Sequence, residues 1–286
     1  MLRPIEYVYG GLFFALALFP LSLGGQDCSC LEDLDYVAEQ IEEHHPGYRY
    51  FTRGQKGTLY EQGLQDLRGE LDAECVLERE ECAEFINRYF KLVPDRHLQA
   101  HLASREERHV QNPKPLITDF EILPEGIPLI RLSSFNSRYN AQLDSFYRYI
   151  GPRLRQHSAL IIDIRVNGGG RKRNMEKLLE LLRNRAFDFE RIAVLQSRRT
   201  GSAAEHFLIR SKRKFRNRLR TFGQNSYGAL AYGGTDGYRT PNLELHFRLP
   251  KVVFKRYRRY ESVGVTPEVL TPEDEALEQA LEWLGE

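Results

Sequence analysis

Two short apolar runs constrain this chain most: Leu160–Arg165 (LIIDIR) and Ile192–Gln196 (IAVLQ). Each reads as a buried strand, and each is followed by turn residues and then by a stretch suited to a helix. The helix after the first run is expected over Asn174–Asn184, and the one after the second opens at Ser202. Strand and helix alternating in this way point to an α/β core. Further strands are expected at Ile127–Leu132, Leu219–Phe222, Leu243–Leu249 and Val252–Tyr257, with a terminal helix over Pro272–Leu284.

The N-terminal third has a different texture. Leu31, Leu34, Val37 and Ile41 recur at helical spacing until His44-His45-Pro46-Gly47 stops them. Leu59–Leu71 and Glu80–Leu92 read as two more amphipathic helices, giving a small helical domain over residues 25–105 ahead of a core over residues 113–286. Before it, Leu12–Leu23 is an apolar run behind Arg3, with small residues at Ser22 and Gly24, the pattern of a secretory signal peptide over residues 1–24. The mature chain is then secreted or periplasmic, in any case extracytoplasmic, with no stable membrane association once the signal is cleaved. All four cysteines, Cys28, Cys30, Cys75 and Cys82, fall in the helical domain. Export and clustering favour disulfides joining Cys28 and Cys30 to Cys75 and Cys82, with connectivity open. Zinc is disfavoured because neither pair has the two-residue gap of common zinc knuckles.

Charge excludes little. The net charge is +1, so nothing global points to nucleic acid. Arg210–Arg220 holds seven basic residues in eleven, but Phe215 is the sole aromatic among them. A solvated helix face is the expectation there, with no nucleic-acid partner.

Ser202 follows a buried strand and a short loop, which puts its hydroxyl at a strand's C-terminal edge, where α/β folds gather their sites. Ser202 and Glu205 also form a capping box, so the hydroxyl has a structural use as well. The Ala203 amide lies beside it at the positive end of the helix, a natural donor to an oxyanion. The turn Gly168-Gly169-Gly170 ends the other strand, and its amides can supply a second donor.

In this order the motifs resemble those of the carboxyl-terminal processing, or tail-specific, serine peptidases, including the tricorn core. The family's D-x-R-x-N-G-G-G matches Asp163, Arg165, Asn167 and Gly168–Gly170; its T-x-S-A-A-E matches Thr200 and Ser202–Glu205. Its G-x-x-x-x-G turn matches Gly223 and Gly228, its C-terminal segment is similar to Glu261–Glu268 (ESVGVTPE), and its D-x-H is similar to Asp95-Arg96-His97. The resemblance implies a helical N-terminal domain followed by a crotonase/ClpP-like αβ-spiral peptidase core, a tricorn-like branch, and peptide or unfolded-protein substrates without a cofactor or metal. It implies Ser202 as nucleophile, His97 as general base, Glu261 as the supporting glutamate, and Ala203 with Gly169 or Gly170 as the oxyanion hole. His97 suits the base role because an imidazole with an ordinary pKa near 6.5 is mostly neutral at pH 7. Two positions depart from the family: Ala229 stands where dyad-type members carry lysine, and Arg96 where tricorn-like members carry serine. Those departures leave a second reading, a non-catalytic peptide-binding or scaffolding protein. His97 and His101, four apart, are a weaker metal pair, with no zinc-motif glutamate beside them. About twenty-five residues separate Leu102 from Ile127, too few for the PDZ module that many relatives carry, so peptide would be gripped by the core itself through strand addition.

Overall fold

The structure, a computed structural model, describes residues 28–73, 78–111, 115–184 and 187–285. The segment read from the sequence as a signal peptide, residues 1–24, and Cys75 lie outside the described residues. Helices come first: α1 (Ser29–His44), α2 (Tyr48–Phe51), α3 (Gln55–Ala73), α4 (Arg79–Phe90) and α5 (Arg105–Gln111). Leu34, Val37, Ala38 and Ile41 form the buried stripe of α1 and meet Leu64, Leu67 and Leu71 of α3 and Ile86, Tyr89 and Phe90 of α4 in one core. A disulfide between Cys30 and Cys82 ties α1 to α4.

The rest of the chain supplies β1 (Thr118–Ile122), β2 (Pro128–Leu132), α6 (Asn140–Arg153), β3 (Ala159–Asp163), α7 (Lys172–Arg183), β4 (Arg191–Gln196) and α8 (Ala203–Phe215). After α8 come β5 (Leu219–Gly223), β6 (Tyr232–Arg239), β7 (His246–Val253), β8 (Val269–Leu270) and α9 (Ala276–Gly285). The main sheet has the order β1-β2-β3-β4-β5-β8. Its pairings are parallel except β1 with β2. Successive residues of each central strand go to opposite layers, as the strand's period of two demands. Leu160, Ile162, Ile192 and Val194 pack under α6, α7 and α8, whereas Ile161, Ala193 and Leu195 pack under Ala276, Ala280 and Trp283 of α9. Covering both faces is why these strands carry unbroken apolar runs. The expected mixed α/β class, with a helical N-terminal region and a sheet core, is what the chain adopts.

The C-terminal hairpin differs from expectation. The two strands read at Leu243–Leu249 and Val252–Tyr257 are one strand, β7, which runs through Pro250, and Lys255–Tyr260 is a 3-10 turn. Its partner β6 was not legible, since YGGTDGYR carries three glycines and no apolar alternation; pairing with β7, register Thr235 opposite Pro250, makes it a strand. Leu245, Phe247 and Leu249 then enter the core of the helical domain. Buried Asp33 of α1 holds the hairpin turn, accepting from Thr240 Oγ1 (2.5 Å), Asn242 N (2.9 Å) and Leu243 N (2.9 Å). The helical body is therefore completed by residues far outside 25–105, and the two halves are locked across the groove that carries the site.

Candidate active site

The turn bearing Ser202 is built by both strand ends. Thr200 Oγ1 donates to Ile164 O (2.9 Å) and Gly201 N to Asn167 O (2.9 Å), so the β4–α8 loop is stitched to the β3 loop. Ser202 has φ 52° and ψ −117°, a conformation costing a non-glycine residue about 1–3 kcal/mol. It persists because its own amide is held: Ser202 N donates to Glu205 Oε2 at 2.8 Å. Glu205 is fully buried and also accepts from Ser226 Oγ (2.6 Å), Gly228 N (2.6 Å) and Ala229 N (2.9 Å). Burial pushes its carboxyl pKa up, against these four donors. The capping box is thus present, but its glutamate is also the hub that fixes the Gly223–Gly228 turn beneath the serine. Ala229 contributes only its backbone.

His97 arrives from the helical body, 105 residues away in sequence, and sets its Nε2 3.3 Å from Ser202 Oγ. Its Nδ1 lies 2.9 Å from Asp95 Oδ1, which also accepts the His97 amide at 2.9 Å. Asp95 Oδ2 takes a third contact, from His45 Nε2 at 3.2 Å. The tautomers follow from the donors. Gly47 N donates to His45 Nδ1 (3.1 Å), so the His45 proton sits on Nε2 and points at Asp95. Burial acts to raise the pKa of Asp95, but the hydrogen bonds from His45 and His97 and the charge on His97 outweigh it and hold the carboxyl at about 2. An ionised Asp95 keeps the His97 proton on Nδ1 and turns the Nε2 lone pair to the serine hydroxyl. Burial pulls His97 down, yet the hydrogen bond and charge of Asp95, with the charges of Glu261 and Glu205, raise its pKa above the ordinary 6.5.

Opposite the histidine lies the glycine turn. Arg165 grips Asp163 with two nitrogens, Nε at 3.0 Å and Nη2 at 2.7 Å, which fixes the chain leaving β3. Asn167, fully buried, donates to Leu132 O (3.1 Å) and accepts from Gly169 N (2.9 Å). Gly169 was expected among the oxyanion donors, but its amide is committed to that side chain. Among the described residues the amides of Ala203 and Gly170 donate no hydrogen bond. Gly169 still matters by having no side chain: at φ +96° an added Cβ would lie 2.8 Å from Ala203 N and 2.6 Å from Gly201 O.

Glu261 lies near but in another role than the one expected. Its carboxylate accepts from Arg96 N (3.1 Å), Leu230 N (2.9 Å) and Ala231 N (2.7 Å), while Asp95 holds the histidine ring. Burial pushes the Glu261 pKa up. Asp95, His97 and Glu261 each bring one ligand atom within 4.8 Å of the others, but both carboxylates are already filled by N–H donors, an arrangement suited to orienting an imidazole. His101 does not join them; its backbone pairs with His246. Arg96 donates to Tyr227 O and lies over the Tyr227 ring, 4.8 Å from its centroid. Lys212 pairs with Glu268 (3.3 Å), and in the same basic run Arg210 pairs with Glu176 (2.8 Å).

Asp95 and His45 were missed as functional candidates. The D-x-H spacing carried a signal for Asp95, because a carboxylate two residues before a histidine reaches both its amide and its ring. His45 read only as a helix stop.

No family model and no curated protein matches the chain. Solved structures do, and they define its fold as one shared with processing peptidases. It aligns with the photosystem II D1 C-terminal processing protease at 12% identity, over 90% of this chain and 98% of that one, with a TM-score of 0.50. It aligns with the tricorn protease at 13% identity, over 90% of this chain and 36% of the other, with a TM-score of 0.55. A lipoprotein from Streptococcus agalactiae gives 16% identity, 90% and 96% coverage, and a TM-score of 0.56. At these identities the likeness is one of fold.

Proposed function

We propose that the protein is a serine peptidase that hydrolyses flexible peptides through an acyl-enzyme on Ser202. The observation that carries this reading is the 3.3 Å approach of His97 Nε2 to Ser202 Oγ, with Asp95 2.9 Å from the other ring nitrogen. His97 takes the hydroxyl proton as Ser202 attacks the peptide carbonyl, then delivers it to the leaving amine. Asp95 orients the ring and stabilises the imidazolium, and His45 fixes Asp95. The amides of Ala203 and Gly170 receive the oxyanion at the helix N-terminus. Glu261 adds negative potential and holds the Arg96–His97 backbone. No lysine is needed: Ala229 removes the dyad amine, and the imidazole supplies the base.

An extracytoplasmic setting agrees with the Cys30–Cys82 disulfide, which persists in oxidising compartments. No helix among the described residues is long and apolar enough to cross a membrane. The tricorn-like branch fits the histidine base and the absence of a PDZ-sized insertion between Leu102 and Ile127.

A fluorophosphonate probe of serine hydrolases tests the reading. Labelling that maps to Ser202 and disappears in Ser202→Ala, together with peptide hydrolysis that disappears in the same variant, is the expected result. A Ser202→Ala protein that still cleaves peptide at the parent rate would sink it. No labelling and no hydrolysis by the parent points to the non-catalytic binding protein.

A further inference from the structure

The charge of this chain is divided between its two bodies. Residues 25–105 carry nine lysines and arginines against seventeen acidic residues, whereas residues 113–286 carry thirty against twenty. A total near zero thus hides a strongly basic core, and such an asymmetry points to an anionic partner for the basic part.

The fold gathers much of that charge at one edge. Strands β3, β4 and β5 run parallel, so α7 and α8 between them return antiparallel and end where the strands begin. Ser202 lies past the other end of β4, whose six residues at about 3.3 Å each put the two edges about 20 Å apart. The edge away from Ser202 carries Arg183 at the end of α7 and Arg213 and Lys214 at the end of α8, followed by Arg216, Arg218 and Arg220. All six are exposed. Between the helix ends opens a cavity of about 520 Å³, whose lining combines buried Leu182, Phe189 and Phe215 with exposed Arg183, Lys214 and Arg218.

Few of these cations meet an acid. Arg218 is 3.9 Å from the exposed Asp188 and donates to Phe189 O (3.1 Å), and Arg220 lies over Trp283, 5.2 Å from the ring centroid. Arg183, Arg213, Lys214 and Arg216 form no ion pair among the described residues, whereas Arg210 and Lys212 of the same run are paired with Glu176 and Glu268. The carbonyl ends of α7 and α8 bring about half a negative charge each, and with Asp188 and Glu190 they offset about half of the six cations.

We propose that this edge docks on an anionic lipid bilayer, held by charge against phospholipid headgroups without insertion of a helix. The proposal is independent of the peptidase reading. A surface cluster of about four to eight lysines and arginines is what an anionic leaflet attracts. The contact is reversible, which agrees with the expectation of no stable membrane association. Nucleic acid fits less well, because bases need exposed rings to stack on and Phe189 and Phe215 are buried. A folded acidic protein needs an apolar centre to its interface, and among the described residues no exposed large apolar side chain lies between Val166 and Tyr227. Docked in this way, the groove with Ser202 opens away from the bilayer.

The test uses the chain from residue 25, which holds every described residue and lacks the apolar N-terminal run. Co-sedimentation is measured with vesicles of phosphatidylcholine alone or mixed with phosphatidylglycerol. Binding to the mixed vesicles only is expected at low salt, and its loss at about 1 M salt, where charges are screened beyond about 3 Å. Arg183→Gln combined with Lys214→Gln is expected to weaken binding about twentyfold, roughly fivefold per cation, with a thermal midpoint near the parent's. Arg53→Gln combined with Lys91→Gln removes two exposed cations from the helical body and is expected to keep the parent's affinity. No binding to the mixed vesicles, equal binding to both kinds, or an equal loss in the two double variants overturns the proposal. A short DNA duplex bound more tightly than the mixed vesicles also overturns it, in favour of a nucleic acid. Peptide hydrolysis does not enter these readouts, so the peptidase reading stands or falls separately.

Discussion

Asp95→Asn separates the charge of Asp95 from its shape. The carboxylate accepts three N–H groups: the His97 amide and ring at 2.9 Å each, and His45 Nε2 at 3.2 Å. An asparagine has one acceptor oxygen. Facing His97, that oxygen satisfies two donors and sets its NH2 against the His45 proton; facing His45, it satisfies one and opposes two. The first orientation is favoured, so the His97 tautomer survives while the negative charge is lost. Two consequences follow. The opposed His45 donor is buried and unsatisfied, which costs about 1–3 kcal/mol of stability. Without the anion the imidazolium formed in the transition state loses its stabilising partner, and the plateau kcat/KM is expected to fall by about 10²–10⁴.

The pH dependence carries the sign. In the parent, His97 titrates above its ordinary 6.5, chiefly through Asp95 acting against burial, and a general base must be neutral. Activity therefore rises with pH through an ionisation above 6.5. Removing the Asp95 charge leaves burial pulling the pKa down, so in Asp95→Asn the limb moves to lower pH while the plateau drops. The assay is kcat/KM on a fluorogenic peptide from pH 5 to 9, with the thermal midpoint taken in parallel. A variant with the parent's plateau, or with its limb moved to higher pH, refutes the assignment of Asp95 as the partner of His97.

His97→Ala is expected to lose about 10²–10⁴-fold in kcat/KM, whereas Lys212→Ala and Lys214→Ala stay within a few-fold; a lysine variant as impaired as His97→Ala would reassign the base. Gly169→Ala places a Cβ 2.8 Å from Ala203 N at a φ of +96°. A stability loss of about 1–3 kcal/mol and a fall in kcat larger than any change in KM are expected, and parent-like kinetics would show that the space before Ala203 is unused. Reduction of Cys30–Cys82, which closes a separation of 52 residues, should cost about 2–4 kcal/mol; an unchanged thermal midpoint in reductant, with thiols verified by titration, contradicts it.

The sequence alone determined what depends on neighbours along the chain. Within the two runs, Leu160–Ile162 and Ile192–Leu195 are apolar at every successive position because both sheet faces are covered, and that pattern survives in one dimension. Ser202 with its reciprocal Glu205, and Asp163 with Arg165, are contacts between residues two or three apart, so motif spacing reports them. Helix α6 could also have been read, since Leu143, Tyr147 and Ile150 lie at helical spacing.

Tertiary structure decided the rest. Asp95, rather than Glu261, holds the His97 ring because α1 brings His45, 50 residues earlier, to Asp95's other oxygen, while strand-end amides of Leu230 and Ala231 saturate Glu261. Gly169 is expected as an oxyanion donor, but Asn167, buried with its amide nitrogen donating to Leu132 O 35 residues earlier, turns its oxygen to the Gly169 amide. Strand β6 has no pattern of its own and exists through pairing with β7, whose apolar residues complete a helical core begun more than a hundred residues earlier. In each case the choice rests on which donors and acceptors burial brings together. A one-dimensional pattern records the demand for a partner, and only the folded chain determines which partner meets it.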